Sequence, residues 1–167
     1  GYNLAGKVME IVSGKSIFRL LREQLFDPLG MDNTICEGDL AYSVHSTALD
    51  LAKIGQLLLN KGRYGNKKYF SEETFEKLLP KNLNKYFPGI NLEWGIGITP
   101  MIQYSQEPGK KTILSENVIG HGSATSAVLR VDLDNKLVIT QSRRDAGAKY
   151  EQYLARLLKL IEDNLVN

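Results

Sequence analysis

The segment GHGSATSAVLRVD, residues 120–132, sets one histidine between two glycines and follows it with small residues that run into an alternating apolar stretch. His121 supplies a ring that can donate or accept a proton near neutral pH. Gly122, Ser123 and Ala124 leave the main chain nearly bare, so a ligand can approach backbone N–H groups there. A histidine beside bare amides has the chemistry of one wall of a hydrolytic site, whose nucleophile and base lie elsewhere. An ordinary core histidine would sit among larger side chains. The remaining candidates are weaker. His45 precedes a serine placed to cap a helix, and Cys36 is the single cysteine. Two histidines without His-x-x-x-His spacing and one thiol predict neither a metal site nor a disulfide. Tyr64-Gly65-Asn66 lies in RYGNKK, where Gly-Asn favours a plain chain reversal. Trp94 could line a cleft, although an aromatic half-buried on a strand is the commoner case. Asp50 and Lys53, three apart on a helix, read as a surface pair worth roughly 0.2–0.5 kcal/mol.

The elements that must position these residues follow from periodicity and capping. Leu4, Val8, Ile11 and Val12 recur on one helical face, and Ser13-Gly14 ends that helix. Ser16 can cap a second helix with Ile17, Leu20, Leu21 and Leu25 as its apolar face, closed by Asp27-Pro28-Leu29-Gly30. Ser46 is placed to cap a third over 47–60, with Leu51, Ile54, Leu57 and Leu58 inward and Lys61-Gly62 at its end. A fourth starts after Ser71, with Glu72 and Glu73 in a first turn that favours acidic groups, and runs to about Leu79. Beyond residue 81 the texture changes. EWGIGIT, residues 93–99, predicts a strand with glycines at alternate positions. Residues 125–131 and 136–142 predict two strands joined in a hairpin at Asp132-Leu133-Asp134-Asn135. A last helix over 148–165 turns Tyr150, Leu154, Leu157, Ile161 and Leu165 to one side, able to cover a sheet. A helical region over 1–80, then antiparallel strands and a covering C-terminal helix over 81–167, predict an α+β fold. The 167 residues read as one partial domain.

Bulk properties exclude several classes. The chain is 43 % hydrophobic and 24 % charged, with 21 basic against 19 acidic residues and a net charge of +2. Basic pairs such as Lys67-Lys68, Lys110-Lys111 and Arg143-Arg144 are scattered, so no nucleic-acid track is expected. No apolar run approaches the roughly 18 residues of a membrane span.

Four stretches together carry a family resemblance: GYNLAGKVMEIVSGKS, FDPLGMDNT, HSTALDLAKIGQLLLNKGRY and GHGSATSAVLRVD. In this order and spacing they resemble the C-terminal half of serine β-lactamases and penicillin-binding-protein-like hydrolases, in the class C, D-aminopeptidase and esterase branch. The likeness runs from Tyr2 to about Arg143 and implies a partial β-lactamase/transpeptidase-like fold. It also implies an acyl-enzyme mechanism built on a Ser-x-x-Lys motif, a Tyr-x-Asn and a Lys-Thr-Gly or His-x-Gly triad. None of the ten serines has lysine three residues on. The triad alone is visible. By resemblance His121 stands at its first position, as a positive or hydrogen-bonding group near the nucleophile, and Gly122 and Ser123 follow as substrate-binding backbone. Ala124 would then offer its N–H to the oxyanion. Ser123 and Ser126 depart from the glycines usual in the family, so side chains stand where the resembled oxyanion pocket would have bare backbone.

The resemblance therefore predicts a nucleophile on polypeptide outside these residues, acting on a β-lactam, a D-amino-acid peptide or an ester. It implies no cofactor, and a cell-envelope or secreted location. A missing N-terminal part of the same protein, or a second copy, is expected to pair with the edge strand 136–142. The alternative is a non-catalytic pseudo-enzyme that keeps the cleft wall to bind peptide or glycan.

Overall fold

The computed structural model of the chain describes residues 1–124 and 127–165. Its contacts cluster into two units, Gly1–Ile54 and Gly55–Asn167. The fold is α+β, with antiparallel sheets and a C-terminal helix, as the order of segments predicts.

In the first unit, α1 (Tyr2–Ser13) ends where expected, at Gly14 with φ 68°. Its apolar residues do not face inward. Leu4, Val8, Ile11 and Val12 are all exposed, and Gly6 is the helix's buried residue. Gly6 abuts Leu40, leaving no room for a Cβ, and polar groups pin the rest. Asn3 Nδ2 donates to Asp39 at 2.6 Å, Leu40 N–H to Asn3 at 2.9 Å, and Ile17 N–H to Glu10 at 3.0 Å. Ser16 caps α2 (Ile17–Leu21) by accepting from Arg19 N–H. The helix then widens into a π-turn, Arg22–Phe26, before α3 (Asp27–Leu29). Pro28 has no N–H for the carbonyl four residues back, and the wider turn, with Asp27 N–H on Arg22 O, absorbs that loss. Phe26, Leu29 and Met31 are buried beside this bend.

Two sequence expectations are corrected at α4 (Ala48–Leu59). The capping side chain is Thr47, whose Oγ1 accepts from Asp50 N–H at 3.2 Å, whereas Ser46 is engaged with Thr34 Oγ1 at 2.7 Å. Asp50 is no surface partner of Lys53: it is 2 % exposed. Its carboxylate accepts from Asn33 N–H at 2.8 Å, Thr34 Oγ1 at 3.0 Å and Lys53 Nζ at 3.0 Å, and Lys53 also reaches Gly30 O. The i,i+3 spacing is right, but the 30–34 loop folds over the pair. His45 is exposed in a short ladder, Ile35–Cys36 against Val44–His45.

The second unit opens with the end of α4. Gly55 is pressed against Val138 and Leu129, and a Cβ there would lie 2.3 Å from Val138 Cγ1. Tyr64-Gly65-Asn66 is the predicted reversal, a two-residue loop between Arg63–Tyr64 and Lys67–Lys68. Ser71 caps α5 (Glu72–Leu78) through Thr74 N–H. The main sheet contains β1 (Thr99–Pro100), β2 (Val118–Gly122), β3 (Val128–Asp132) and β4 (Leu137–Gln141), antiparallel in the order β4-β3-β2-β1. The strand expected over 125–131 is thus β3, and Thr125 and Ser126 lie outside the described residues. Residues 93–99 are not one strand. Glu93–Trp94 pairs with Lys81–Asn82, and the chain then reverses at Gly95–Ile98, with Gly95 N–H on Ile98 O and Gly97 at φ 74°. At Gly95 a Cβ would meet Leu78 O at 2.2 Å, so the alternate glycines serve a tight turn rather than a bare strand face.

Strand alternation divides the sheet's residues. One face carries Gly120, Val128, Arg130, Asp132, Leu137 and Ile139. There α6 (Tyr150–Asp163) buries Leu154 and Leu158 against Ile113, Leu114 and Ile139. Leu158, not Leu157, is its deepest residue. The other face carries His121, Leu129, Val131 and Val138 and receives Gly55.

Candidate active site

His121 is the penultimate residue of β2, opposite Leu129, and its side chain is exposed at the end of an otherwise buried strand. What makes this strand end open is the distribution of glycine. At Gly120 a Cβ would lie 1.9 Å from Leu129 O and 3.2 Å from Arg130 Cα, so the neighbouring strand itself demands glycine. Gly122 is different. Its nearest neighbours would be Val128 Cγ1 at 3.5 Å and Met101 Cε at 3.9 Å, ordinary contacts that alanine would tolerate. Packing explains Gly120; it does not explain Gly122.

After Gly122 the chain turns. Ser123 N–H donates to Ala127 O at 2.8 Å, and Ser123 Oγ accepts from Ala127 N–H at 3.1 Å. The hydroxyl therefore closes the turn in a position where the resembled pattern has glycine. Ser123 and Ala124 are both exposed, and Ala124 N–H has no acceptor among the described residues. The structure thus brings His121, Gly122, Ser123 and Ala124 to one exposed strand end, with a ring, a bare backbone step and a donor that has no acceptor among the described residues.

The hairpin on which this end rests is braced at its far side. Asp132, 1 % exposed, accepts from Ser115 N–H and Oγ at 3.1 and 2.7 Å, from Asp134 and Asn135 N–H at 3.2 and 3.0 Å, and from Asn135 Nδ2 at 2.8 Å. Burial alone would raise its pKa, but these donors outweigh burial and hold the carboxyl below its ordinary range. The predicted hairpin is real but shifted by one: Asp132 pairs with Leu137, so the loop is 133–136, with Lys136 at φ 53°.

Among the described residues His121 makes no side-chain hydrogen bond or ion pair, and no group of three metal-binding side chains occurs. Sequence reasoning also passed over Arg130, which the structure buries at 7 % exposure on the face opposite His121.

The beta-lactamase family profile matches residues 1–162. The chain belongs to the beta-lactamase family. No curated protein matches its sequence significantly. Solved structures of beta-lactamase type superpose on nearly all of it. A beta-lactamase from Mycobacterium bovis aligns at a TM-score of 0.70 and 20 % identity, over 99 % of this chain and 62 % of that one. The octameric penicillin-binding protein homologue from Pyrococcus abyssi aligns at 0.64 and 21 %, over 99 % and 43 %. A D-stereospecific amidohydrolase from Streptomyces aligns at 0.59 and 15 %, over 92 % and 52 %. At these identities the likeness shows the beta-lactamase fold. This chain spans 62 % or less of each of the three structures' length. Among the described residues no helix is long and apolar enough to cross a membrane.

Proposed function

We propose that these residues are the C-terminal part of a serine hydrolase of the class C, D-aminopeptidase and esterase branch, forming one partial domain. It works through an acyl-enzyme on a β-lactam, a D-amino-acid peptide or a small ester. The observation that carries this reading is the contrast between Gly120, which the fold requires, and Gly122, which it does not. A bare backbone step with no packing reason, beside an exposed histidine and an exposed backbone N–H, fits a surface shaped for a substrate.

In this reading the nucleophile and its base lie on polypeptide outside the 167 residues, in keeping with the absent Ser-x-x-Lys and with the partial coverage of the solved relatives. His121 then faces the nucleophile's surroundings, donating a hydrogen bond to substrate or adding positive charge there. Gly122 lets the scissile group lie along β2. Ala124 N–H, paired with an amide beside the nucleophile, holds the oxyanion of the tetrahedral intermediate, a term worth about 3 kcal/mol per donor in related chemistry. By family resemblance the enzyme is expected in the cell envelope or secreted.

The test is labelling and turnover with a fluorescent penicillin and a p-nitrophenyl ester. The full polypeptide carrying these residues should form a stoichiometric acyl adduct outside them, while the 167-residue chain alone should show neither adduct nor turnover. His121→Ala in the full polypeptide should lower turnover at least about tenfold with folding unchanged. An adduct on any serine of these 167 residues would overturn the assignment.

A further inference from the structure

On the face of the sheet opposite His121 lies an open pocket of about 480 Å³. Met101, Ser123, Arg130, Gly147, Tyr150 and Glu151 are among the residues that line it. Arg130 projects from the central strand β3 and is 7 % exposed, yet its Nε and Nη1 are buried with no hydrogen-bond partner among the described residues. It forms no ion pair among the described residues. A buried guanidinium without a counter-charge is one of the costliest groups a fold can hold, since both its desolvation and its missing hydrogen bonds count against it. The Tyr150 hydroxyl is likewise buried and has no partner among the described residues.

A second observation points the same way. The pocket is bounded by the start of α6, a 14-residue helix with no side-chain cap at its N-terminus. Its first-turn N–H groups and the positive end of its dipole attract an anion. Arg143 adds a further cation, its guanidinium 5.0 Å from the centre of the Tyr150 ring. The one acidic group at the pocket, Glu151, is exposed and makes no ion pair among the described residues. Gln141 Oε1 on the adjacent strand, buried and without a partner among the described residues, is neutral and adds no counter-charge to Arg130.

We infer that this pocket binds a small aliphatic monocarboxylate, with Arg130 as counter-ion, the Tyr150 hydroxyl as second donor and the first turn of α6 as third. Arg130 and Arg143 set against Glu151 leave one positive charge, which one carboxylate balances, whereas a dianion would leave a negative charge in excess. Met101 and Val128 offer apolar wall to a short hydrocarbon tail. The site is behind the strand that ends in His121, and its rim shares Ser123 with the proposed hydrolytic site.

The test is calorimetric titration of the full polypeptide with butyrate, with butyramide as uncharged isostere and inorganic phosphate as dianion, at constant ionic strength. Butyrate should bind one to one and shift the Arg130 Nε–H resonance in the unsubstituted protein. Butyramide should bind at least about tenfold more weakly, and so should butyrate to Arg130→Gln. Tyr150→Phe should weaken binding several-fold, Glu151→Gln should strengthen it, and His121→Ala should leave it unchanged. Should Arg130→Gln not fold, Arg130→Lys and the resonance shift carry the test. The inference is overturned if butyrate fails to bind at about 50 mM, if butyramide or phosphate binds as well, or if binding survives Arg130→Gln.

Discussion

Asp50 and Asp132 are two buried carboxylates, each organising a loop through several donors at once. Burial opposes ionisation of both, yet the donors win, so both pKa values lie below the ordinary 3.8. A carboxyl whose pKa is lower folded than unfolded stabilises the fold above its unfolded value and loses that contribution as pH falls through the folded one. Stability should therefore decline below about pH 4. Asp132→Asn keeps the shape but makes fewer bonds; it should cost about 2 kcal/mol at pH 7 and flatten the decline, as denaturant titration across pH would show. A decline of unaltered steepness in that variant would remove Asp132 from this account. At this scale the sequence was half legible. The spacing of Asp50 and Lys53 predicts their contact, but burial comes from the 30–34 loop, which no local pattern announces. Arg130 stood in plain view: two residues from Val128 and two from Asp132, it shares a strand face with buried neighbours.

Elements were more legible where one local rule decided them. Gly14 and the Ser16 and Ser71 caps fall where capping chemistry puts them. Residues 93–99 failed because alternating glycines satisfy a strand's period and a tight turn's dihedral needs equally, and the close approach of Leu78 O decides for the turn. The helix over 47–60 has adjacent Ser46 and Thr47, either able to cap, and the tertiary bond of Ser46 to Thr34 settles which does. The two glycines of β2 give the sharpest test. Gly120→Ala should cost about 3 kcal/mol or more, since backbone of the next strand must move. Gly122→Ala should change stability by no more than about 0.5 kcal/mol while lowering kcat/KM of the full polypeptide about tenfold. Thermal melts and kinetics on the same preparations separate the two. Equal loss of stability in both variants would return Gly122 to a packing role.

For the whole chain, the order of segments suffices to read the α+β class, because helical and strand periodicities occupy different stretches. The open side of the sheet is also clear: among the described residues β4 pairs only with β3. Its Leu137, Val138 and Ile139 form a strongly β-favouring edge, the kind that recruits another strand unless charge protects it. On a dilute monomer of the 167 residues, the β4 amides that face away from β3 should exchange rapidly, and addition of a preceding fragment or a rise in concentration should protect them. Protection already present in the monomer would mean the edge is covered within the chain. The polar pinning of α1 has a different consequence. A 12-residue helix is at the lower limit of independent persistence, and this one contributes little apolar area to the cooperative whole. Its attachment rests on Asn3, Glu10 and the Gly6–Leu40 contact, so it is poised to detach as a subglobal event while the rest stays native. Trypsin, cutting at the exposed Lys7 in such openings, should trim this end first, at a rate that follows the opening equilibrium rather than global unfolding.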